Sequence, residues 1–388
     1  MFRIRTMNKI SPYGLELFSR EKYEVASEIP NPDAIVVRSA DLNSVEIPAS
    51  VLAIARAGAG YNNIPVKACS ERGIAVFNTP GGNANAVKEL AIAAMLISSR
   101  RIAGGIEWCK TIADRADEVP DIVEKEKSRF EGPELKGKVL GVVGLGAIGV
   151  MVANDAIALG MKVIGYDPFI SVEGAWSLSR TVTRADTLEG LLAKADYITL
   201  HLPQNNETKG LFNADRYKFL KKGARFINLA RGGIVNEADT IAALNSDRMA
   251  AYVTDFPTAE LLANPKVICI PHLGASTPEA EDNCAVMAVQ QLIDYLETGA
   301  ILNSVNLARC RLERRTAYRL IVINRNIPNM IGQVTTILAA AGINIMQMIN
   351  HHRDDYGYNI IDTEHQIPAD TEEKIKQIEG IIRVRMVE

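Results

Sequence analysis

The sequence predicts an α/β protein with two doubly wound parallel-sheet domains and a smaller ferredoxin-like domain at the C-terminal end. Three observations predict this architecture. Short apolar runs alternate with helical segments over residues 34–296, as in β-α-β units that build parallel sheets. A glycine-rich turn at 144–149 interrupts this stretch. After an arginine-rich linker at 309–315, the remaining elements follow the order βαββαβ, which is the split unit of ferredoxin-like domains.

The first domain is predicted from three apolar strands at 34–37, 52–57 and 74–77. A polar or glycine-rich loop follows each strand, and ligands of parallel sheets meet the loops at the carboxyl ends of the strands. The candidate substrate contacts in these loops are Arg38, Ser39, Arg56, Gly58, Ala59 and Gly60. A mostly apolar helix at 87–103 is expected to carry the chain into the second domain.

The second domain begins with a strand at 138–143, a glycine turn, a helix at 150–159, a strand at 161–166 and then Asp167. The glycines permit a tight turn, close approach of a pyrophosphate and close packing of helix on strand. The helix N-terminus attracts phosphates, and the acid can accept from a ribose diol. The order therefore predicts a Rossmann-like dinucleotide site. Its turn residues are Gly144, Gly146, Ala147, Ile148 and Gly149.

The remaining segments complete the three domains. Further strands are predicted at 197–200, 224–229, 251–254 and 267–270, and a helix at 280–296. The third domain is predicted from strands at 318–323, 343–349, 359–362 and 381–387, with helices at 332–341 and 372–378. Residues 111–132 are charged and are expected to form a loop or a short helix. The expected boundaries are a substrate domain at 1–97 and 277–308, a dinucleotide domain at 98–276, and a linker with the small domain at 309–388.

Composition narrows the class of protein. The net charge is −3, with 47% hydrophobic and 23% charged residues, which gives no reason to expect nucleic acid or a membrane as a partner. No apolar run reaches the length of a membrane span, and the N-terminus lacks the apolar core of a signal peptide. The five cysteines have no metal-like spacing. We therefore expect a cytoplasmic protein with reduced thiols and no metal site.

A nicotinamide cofactor bound at the dinucleotide site would imply hydride transfer. Hydride transfer between a carbinol and a carbonyl also moves a proton, so the site needs an acid/base and a group that holds the substrate anion. Arg231 lies between a predicted strand and two glycines, and its guanidinium fork suits a 2-hydroxy carboxylate. His272 follows another strand and can exchange a proton near neutral pH. Glu260 precedes it along the chain and is a candidate to orient the imidazole.

These segments resemble the D-2-hydroxyacid dehydrogenase family over roughly the first three quarters of the chain. Four motifs match in order: the glycine turn with Asp167, the segment 228–232, the segment 255–260, and the segment 271–274. The resemblance implies NAD as cofactor, Arg231 as the ligand of the substrate carboxylate, Glu260 and His272 as the acid/base pair, and Asp255 as a contact of the nicotinamide carboxamide. The further cofactor contacts that it implies are His201, Leu202, Pro203, Thr208, Leu229, Ala230, Arg231, His272 and Gly274.

The resemblance also implies a substrate and an effector. The early loops, with Arg38 and Arg56, suit a phosphorylated 2-hydroxy acid, 3-phospho-D-glycerate. The small domain resembles an ACT regulatory domain, which implies L-serine as a possible effector held by Asn324, Asn326 and Asn344, or a domain kept for assembly only. A homo-oligomer, dimer or tetramer, is expected. Two alternatives stay open: a dehydrogenase of another D-2-hydroxy acid, and a non-catalytic protein that senses NAD(H).

The chain departs from the family pattern at three positions. Leu261 stands after Glu260 where the family has proline, so the following loop is expected to differ. Asn329 replaces a glycine in the ACT-like loop, and asparagine tolerates a left-handed backbone better than most residues. Lys88 stands where the family tends to have a small residue. It could place a positive charge near an anionic substrate, or simply be exposed at the start of a helix.

Overall fold

The computed structural model describes residues 1–387 and divides into two compact units, one formed by Met1–Asn83 with the chain from Pro278 onward, the other by Ala84–Thr277. The strands are β1 (Phe2–Met7), β2 (Tyr23–Ala26), β3 (Ala34–Val37), β4 (Ala53–Arg56), β5 (Ala75–Phe77), β6 (Val139–Val143), β7 (Lys162–Tyr166), β8 (Thr183–Arg184), β9 (Tyr197–Leu200), β10 (Ala224–Asn228), β11 (Met249–Thr254), β12 (Val267–Cys269), β13 (Tyr318–Arg325), β14 (Ile345–Arg353), β15 (Tyr356–Thr363) and β16 (Ile381–Val387).

The helices are α1 (Pro12–Leu15), α2 (Val66–Glu71), α3 (Ala84–Ser99), α4 (Ile102–Lys110), α5 (Val119–Glu126), α6 (Ala147–Ala158), α7 (Val172–Ser177), α8 (Leu188–Leu192), α9 (Ala214–Tyr217), α10 (Glu237–Asn245), α11 (Ala259–Leu262), α12 (Pro278–Thr298), α13 (Met330–Ala340) and α14 (Ala369–Lys376). Short 3-10 turns lie at Ala113–Glu118, Lys127–Phe130 and Gly232–Ile234. Among residues 1–387 no helix is both long and apolar enough to cross a membrane.

The first unit contains a five-stranded parallel sheet in the order β2-β1-β3-β4-β5. The strands β3, β4 and β5 are almost entirely apolar and buried, as expected of parallel strands that are covered on both faces. The long helix α12 packs Leu292 and Leu296 into the core of this sheet. Pro278 opens α12, and Glu279 and Glu281 follow in its first turn, where acids are favoured by the helix dipole.

The second unit is a seven-stranded parallel sheet in the order β12-β11-β10-β9-β6-β7-β8. The predicted doubly wound α/β class is therefore confirmed. The helix expected at 87–103 is α3, which stops at Ser99 because Arg101 adopts a left-handed backbone (φ 47°) before α4 begins. Lys88, on α3, fits neither of its expected roles. Its side chain is only 14% exposed, and its Nζ lies 2.8 Å from Asp155 on α6. This ion pair joins α3 to α6.

The C-terminal elements form a four-stranded antiparallel sheet in the order β14-β15-β13-β16. The predicted βαββαβ order is confirmed. Alternate side chains of β13 face two cores. Leu320 and Val322 pack with the apolar face of α13, whereas Ile321 and Ile323 pack with α12 and the five-stranded sheet. The strand β13 is therefore covered on both faces within the first unit.

Candidate functional site

The glycine turn between β6 and α6 has the geometry that the sequence predicts. Gly144 has φ +92°, a left-handed conformation that L side chains rarely adopt, and a Cβ there would lie 2.6 Å from the His201 carbonyl oxygen. A Cβ on Gly149 would lie 1.9 Å from the Gly144 carbonyl oxygen. Gly146 caps α6 and has no atom within 4 Å of its Cβ position. The turn is thus tight on its protein side and open at the helix N-terminus.

Asp167 follows β7 and is fixed beside this turn. Its Oδ2 accepts from the Leu145 amide at 2.7 Å, and its Oδ1 accepts from the Phe169 amide at 2.8 Å. Each carboxylate oxygen has a further lone pair. The half-buried side chain is therefore oriented by backbone while remaining able to accept from a diol.

The loop after β9 carries His201, Leu202, Pro203 and Thr208. The Thr208 hydroxyl donates to the Pro203 carbonyl at 2.6 Å and closes the loop. His201 Nε2 lies 3.0 Å from the Thr199 hydroxyl. Burial of its ring lowers the pKa of His201 to about 4, although part of the residue reaches solvent. His201 is consequently neutral near pH 7 and offers a ligand a hydrogen bond rather than a charge.

Arg231 follows β10, after Leu229 and Ala230. Buried Asn228 shapes this turn: its Nδ2 donates to the Arg231 carbonyl at 3.0 Å, and its Oδ1 accepts from the Ala230 amide at 3.2 Å. A Cβ on Gly232 would lie 3.2 Å from Phe256 Cβ, so the loops after β10 and β11 come close together. The Arg231 side chain is exposed and its Nη1 donates to the Ala230 carbonyl at 2.7 Å.

Asp255 follows β11, and His272 follows β12 on the neighbouring strand. His272 Nδ1 lies 3.0 Å from Asp255 Oδ2, and the Phe256 ring lies 5.1 Å from the imidazole, centroid to centroid. The Asp255 side chain is 1% exposed, whereas that of His272 is 62% exposed. Burial raises the pKa of the Asp255 carboxyl above its usual range, and the nearby His272 and Arg231 act in the opposite direction.

The expected pairing of Glu260 with His272 is not present. Glu260 is exposed in the first turn of α11, and within residues 1–387 no ion pair joins it to the imidazole. Thr258 caps this helix by accepting from the Leu261 amide at 3.3 Å, and Leu261 is buried in the core. Because Leu261 points inward, its neighbour Glu260 points to solvent. The position of Asp255 was predicted as a cofactor contact, but its contact with His272 was not.

The substrate candidates of the first unit are held by local contacts. Arg38 follows β3, and its Nη2 lies 2.5 Å from Glu281 Oε1 on α12. Arg56, at the end of β4, donates from Nε to the Arg38 carbonyl at 3.0 Å and from Nη1 to the Gly60 carbonyl at 2.6 Å. Arg56 thus braces the loop of Gly58, Ala59 and Gly60, and the Ser39 amide donates to Asn8 Oδ1 at 3.2 Å. The sequence pattern did not reveal Glu281 as the partner of Arg38.

The effector candidates lie on the C-terminal sheet and its loops. Asn324 is 3% exposed, accepts from Asn359 Nδ2 at 2.7 Å and donates to the Arg325 carbonyl at 2.6 Å. Its amide therefore has partners inside the domain, and its role as an effector ligand stays a prediction. Asn326 is exposed and donates to the Asp354 carbonyl at 3.1 Å, and exposed Asn344 donates to Glu364 Oε2 at 3.3 Å. Asn329 adopts the left-handed conformation, with φ 68°.

Comparison with known proteins relates this arrangement to one family. Residues 92–274 match the family model described as D-isomer specific 2-hydroxyacid dehydrogenase, NAD binding domain. The chain is 37% identical over 309 residues to a D-3-phosphoglycerate dehydrogenase of Archaeoglobus fulgidus, covering 76% of this chain and 56% of the relative. It is 38% identical over 282 residues to the D-3-phosphoglycerate dehydrogenase of Synechocystis, covering 70% and 48%. The chain thus spans about half the length of these relatives.

Two solved structures superpose on more than three quarters of this chain. The NAD⁺-bound 3-phosphoglycerate dehydrogenase of Entamoeba histolytica superposes with a TM-score of 0.60 and 28% identity, covering 79% of this chain and 98% of that one. The apo D-mandelate dehydrogenase of Rhodotorula graminis has a TM-score of 0.65 at 24% identity, covering 78% and 97%, and supports the fold alone.

Proposed function

We propose that the chain is a D-isomer specific 2-hydroxyacid dehydrogenase that oxidises 3-phospho-D-glycerate to 3-phosphohydroxypyruvate with NAD; residues 92–274 match the NAD-binding domain of that family. The observation that carries the proposal is the grouping of Arg231, His272 and buried Asp255 after three adjacent strands of the seven-stranded sheet. The phosphorylated substrate is favoured by the names of the relatives.

The residues of the glycine turn fit NAD. Open space at Gly146, at the N-terminus of α6, suits a pyrophosphate, and the oriented carboxylate of Asp167 suits a ribose diol. The loop of His201, Leu202, Pro203 and Thr208, with Leu229, Ala230 and Gly274, would line the rest of the cofactor. When bound, NAD supplies the acceptor for the hydride that leaves C2 of the substrate.

The protein side chains would perform the remaining steps. The Arg231 guanidinium holds the substrate carboxylate and, as the C2 hydroxyl becomes a carbonyl, the oxygen beside it. His272 accepts the hydroxyl proton while the C2–H bond breaks and the C2=O bond forms. The step balances because the substrate loses a hydride, for which NAD is the acceptor, and a proton, for which His272 is the acceptor.

The proposal is tested by comparing 3-phospho-D-glycerate with D-glycerate, D-lactate and D-2-hydroxyisocaproate in the presence of NAD. We expect kcat/KM to be highest for 3-phospho-D-glycerate. D-Glycerate differs from it only by the phosphate, so the ratio of the two kcat/KM values measures the contribution of the phosphate. Higher efficiency with an unphosphorylated acid would assign the chain to another D-2-hydroxy acid. No turnover with any of these acids would contradict a dehydrogenase.

Asp167→Ala is expected to weaken the preference for NAD over NADP by about tenfold or more. The reason is that the Asp167 carboxylate would repel the 2′-phosphate of NADP, and like charges a few ångströms apart repel by roughly 1–2 kcal/mol near a protein surface. Pro168, Phe169 and Ile170, which follow it, offer no cation to a 2′-phosphate. The measurement is the ratio of kcat/KM for the two cofactors. Glu173→Ala, an exposed acid in the first turn of α7, is the matched control. An unchanged ratio in Asp167→Ala would contradict the role of Asp167 as a ribose ligand.

L-Serine is proposed to bind the C-terminal domain and lower activity. A cavity of about 500 Å³ is lined by Arg325, Asn326, Asp355 and Glu379 among others. A free amino acid presents a carboxylate and an ammonium, and this lining offers a cation, an amide and two acids. Exposed Asn344 remains a candidate for a contact from a second subunit of the proposed homo-oligomer. The alternative is a domain that serves assembly only.

Asn326→Ala is expected to raise the serine concentration for half-inhibition by about tenfold, since a hydrogen bond to a charged group contributes about 1.5–3 kcal/mol. Activity is measured against serine concentration, and Gln377→Ala, an exposed amide at the end of α14, serves as control. A flat curve for the wild-type protein, without serine binding by calorimetry, would leave the domain as an assembly module.

A further inference from the structure

His272 contacts the carboxylate of Asp255, which follows β11. It does not contact Glu260, which lies on α11. We propose that Asp255, rather than Glu260, is the positioning residue that orients His272 and stabilises its protonated form. This assignment rests on the proposed function for its catalytic meaning. The contact itself is a property of the protein without substrate.

The atom that Asp255 contacts decides which nitrogen of His272 reacts. The 3.0 Å contact is with Nδ1, so an ionised Asp255 favours the neutral tautomer that carries its proton on Nδ1. The lone pair of Nε2 is then free to accept the hydroxyl proton from the substrate. The Phe256 ring beside the imidazole limits its rotation. Asp255 therefore selects both the tautomer and the orientation of the base.

Because Asp255 is buried, its negative charge acts strongly on the protonated form of His272. The Asp255 side chain is 1% exposed, and burial is the largest effect on the pKa of its carboxyl, which it raises. A buried carboxylate, which has lost the stabilisation of water, interacts strongly with a cation that appears beside it. Proton transfer from the substrate places that cation on His272, and the charge of Arg231 also acts on Asp255.

Glu260 has a different local function. It lies in the first turn of α11, where an acid interacts favourably with the helix dipole, and its side chain is in solvent. The Thr258 cap and the inward side chain of Leu261 fix that direction. Solvent screening around an exposed acid weakens its effect on a distant imidazole. The two acids can therefore be separated by matched substitutions.

The test compares Asp255→Asn with Glu260→Gln, which remove one charge each at almost constant shape. With 3-phospho-D-glycerate and NAD, we expect Asp255→Asn to lower kcat by about 10²-fold or more and to change KM by less than about threefold, because loss of the correct tautomer affects proton transfer and leaves Arg231 in place. Glu260→Gln is expected to keep kcat within about threefold of the wild type. The opposite pattern would overturn the assignment.

A second readout needs neither substrate nor cofactor. Nitrogen-15 spectra of the histidine side chains report the tautomer, and the signal of His272 is identified by its loss in His272→Ala. We expect the proton on Nδ1 in the wild type and in Glu260→Gln, and a shift toward Nε2–H in Asp255→Asn. An unchanged tautomer in Asp255→Asn would contradict the proposal even if turnover fell. If the wild type did not oxidise 3-phospho-D-glycerate but showed this pattern, the proposed function would fail and the pairing would stand.

Folding of the variant is checked by thermal unfolding. Because burial raises the pKa of Asp255, its ionised form carries a cost in the folded state above that pKa, and the neutral amide removes this cost. We therefore expect Asp255→Asn to unfold at or above the wild-type temperature near neutral pH. Asp255→Glu, which keeps the charge, is expected to retain the Nδ1–H tautomer and to lose less activity than Asp255→Asn. Equal losses in the two variants would contradict a role for the charge.

Discussion

Replacing His272 with alanine is expected to lower kcat for 3-phospho-D-glycerate by about 10²–10⁴-fold, the usual contribution of a positioned general acid/base. The imidazole is exposed on one side and contacts buried Asp255 on the other, which suits a group that takes a proton from a ligand and passes it on. Alanine leaves the glycine turn and Arg231 unchanged. The binding of NAD, measured by calorimetry, is therefore expected to change much less than turnover.

The matched control for this variant is His365→Ala, which removes an exposed imidazole from the C-terminal domain. We expect it to keep wild-type turnover. Activity of His272→Ala within about tenfold of the wild type would mean that another group accepts the proton, since a smaller loss falls below the effect of general base catalysis. A parallel loss in His365→Ala would instead indicate that the assay reports folding.

Replacing Arg319 with methionine is expected to lower the free energy of unfolding by about 3–5 kcal/mol, because it leaves a buried carboxylate without its partner. Arg319 and Asp362 are 0% exposed and face each other across β13 and β15. Arg319 Nε and Nη2 lie 2.6 Å and 2.9 Å from the Asp362 oxygens, and Nη1 donates to the Thr298 carbonyl at 2.9 Å. The pair therefore also joins the C-terminal sheet to the end of α12.

The effect has a defined dependence on pH. Burial alone would raise the pKa of Asp362, but hydrogen bonds from Arg319 and Gln347 hold it below its usual range. A depressed carboxyl pKa contributes stability above the pKa of the unfolded chain, and that contribution is lost as the pH falls through the folded-state pKa. The wild type and Arg319→Met should therefore differ most near neutral pH and converge in acid.

Urea unfolding of both proteins at several pH values measures this difference. Lys374→Met, which breaks an exposed pair with Asp370, is the control and is expected to lower the free energy of unfolding far less than Arg319→Met does. Equal costs in the two variants would contradict a stabilising buried pair. The double variant Arg319→Met with Asp362→Leu is expected to recover much of the loss, because it removes the orphaned charge.

The sequence predicts the parts of this protein that depend on short-range pattern. The strand, glycine turn, helix and acid around Gly144 and Asp167 each follow from local chemistry, and the structure confirms this order. The left-handed conformation of Asn329 likewise agrees with what asparagine tolerates. The strands β1 and β2 were not predicted, because Arg and Thr alternate with apolar residues in β1 and weaken the apolar signal of that strand.

Side-chain partners were harder to predict because they depend on direction as well as spacing. The spacing that suggested Glu260 for His272 does not include the Thr258 cap and the buried Leu261, which turn Glu260 to solvent. Asn324 was expected to bind an effector, but the alternation of β13 turns its amide toward Asn359. In both cases the direction of the side chain depends on which neighbouring positions are buried, and spacing along the sequence does not give that.

The most direct test of the proposed function is transfer of deuterium from 3-phospho-D-glycerate labelled at C2. Incubation with NAD and the wild-type protein is expected to give reduced cofactor one mass unit heavier, in amounts equal to the 3-phosphohydroxypyruvate formed. The same incubation with His272→Ala should give the labelled cofactor far more slowly. Reduced cofactor without the label, or none at all from a folded protein that binds NAD, would contradict hydride transfer from C2 by this protein.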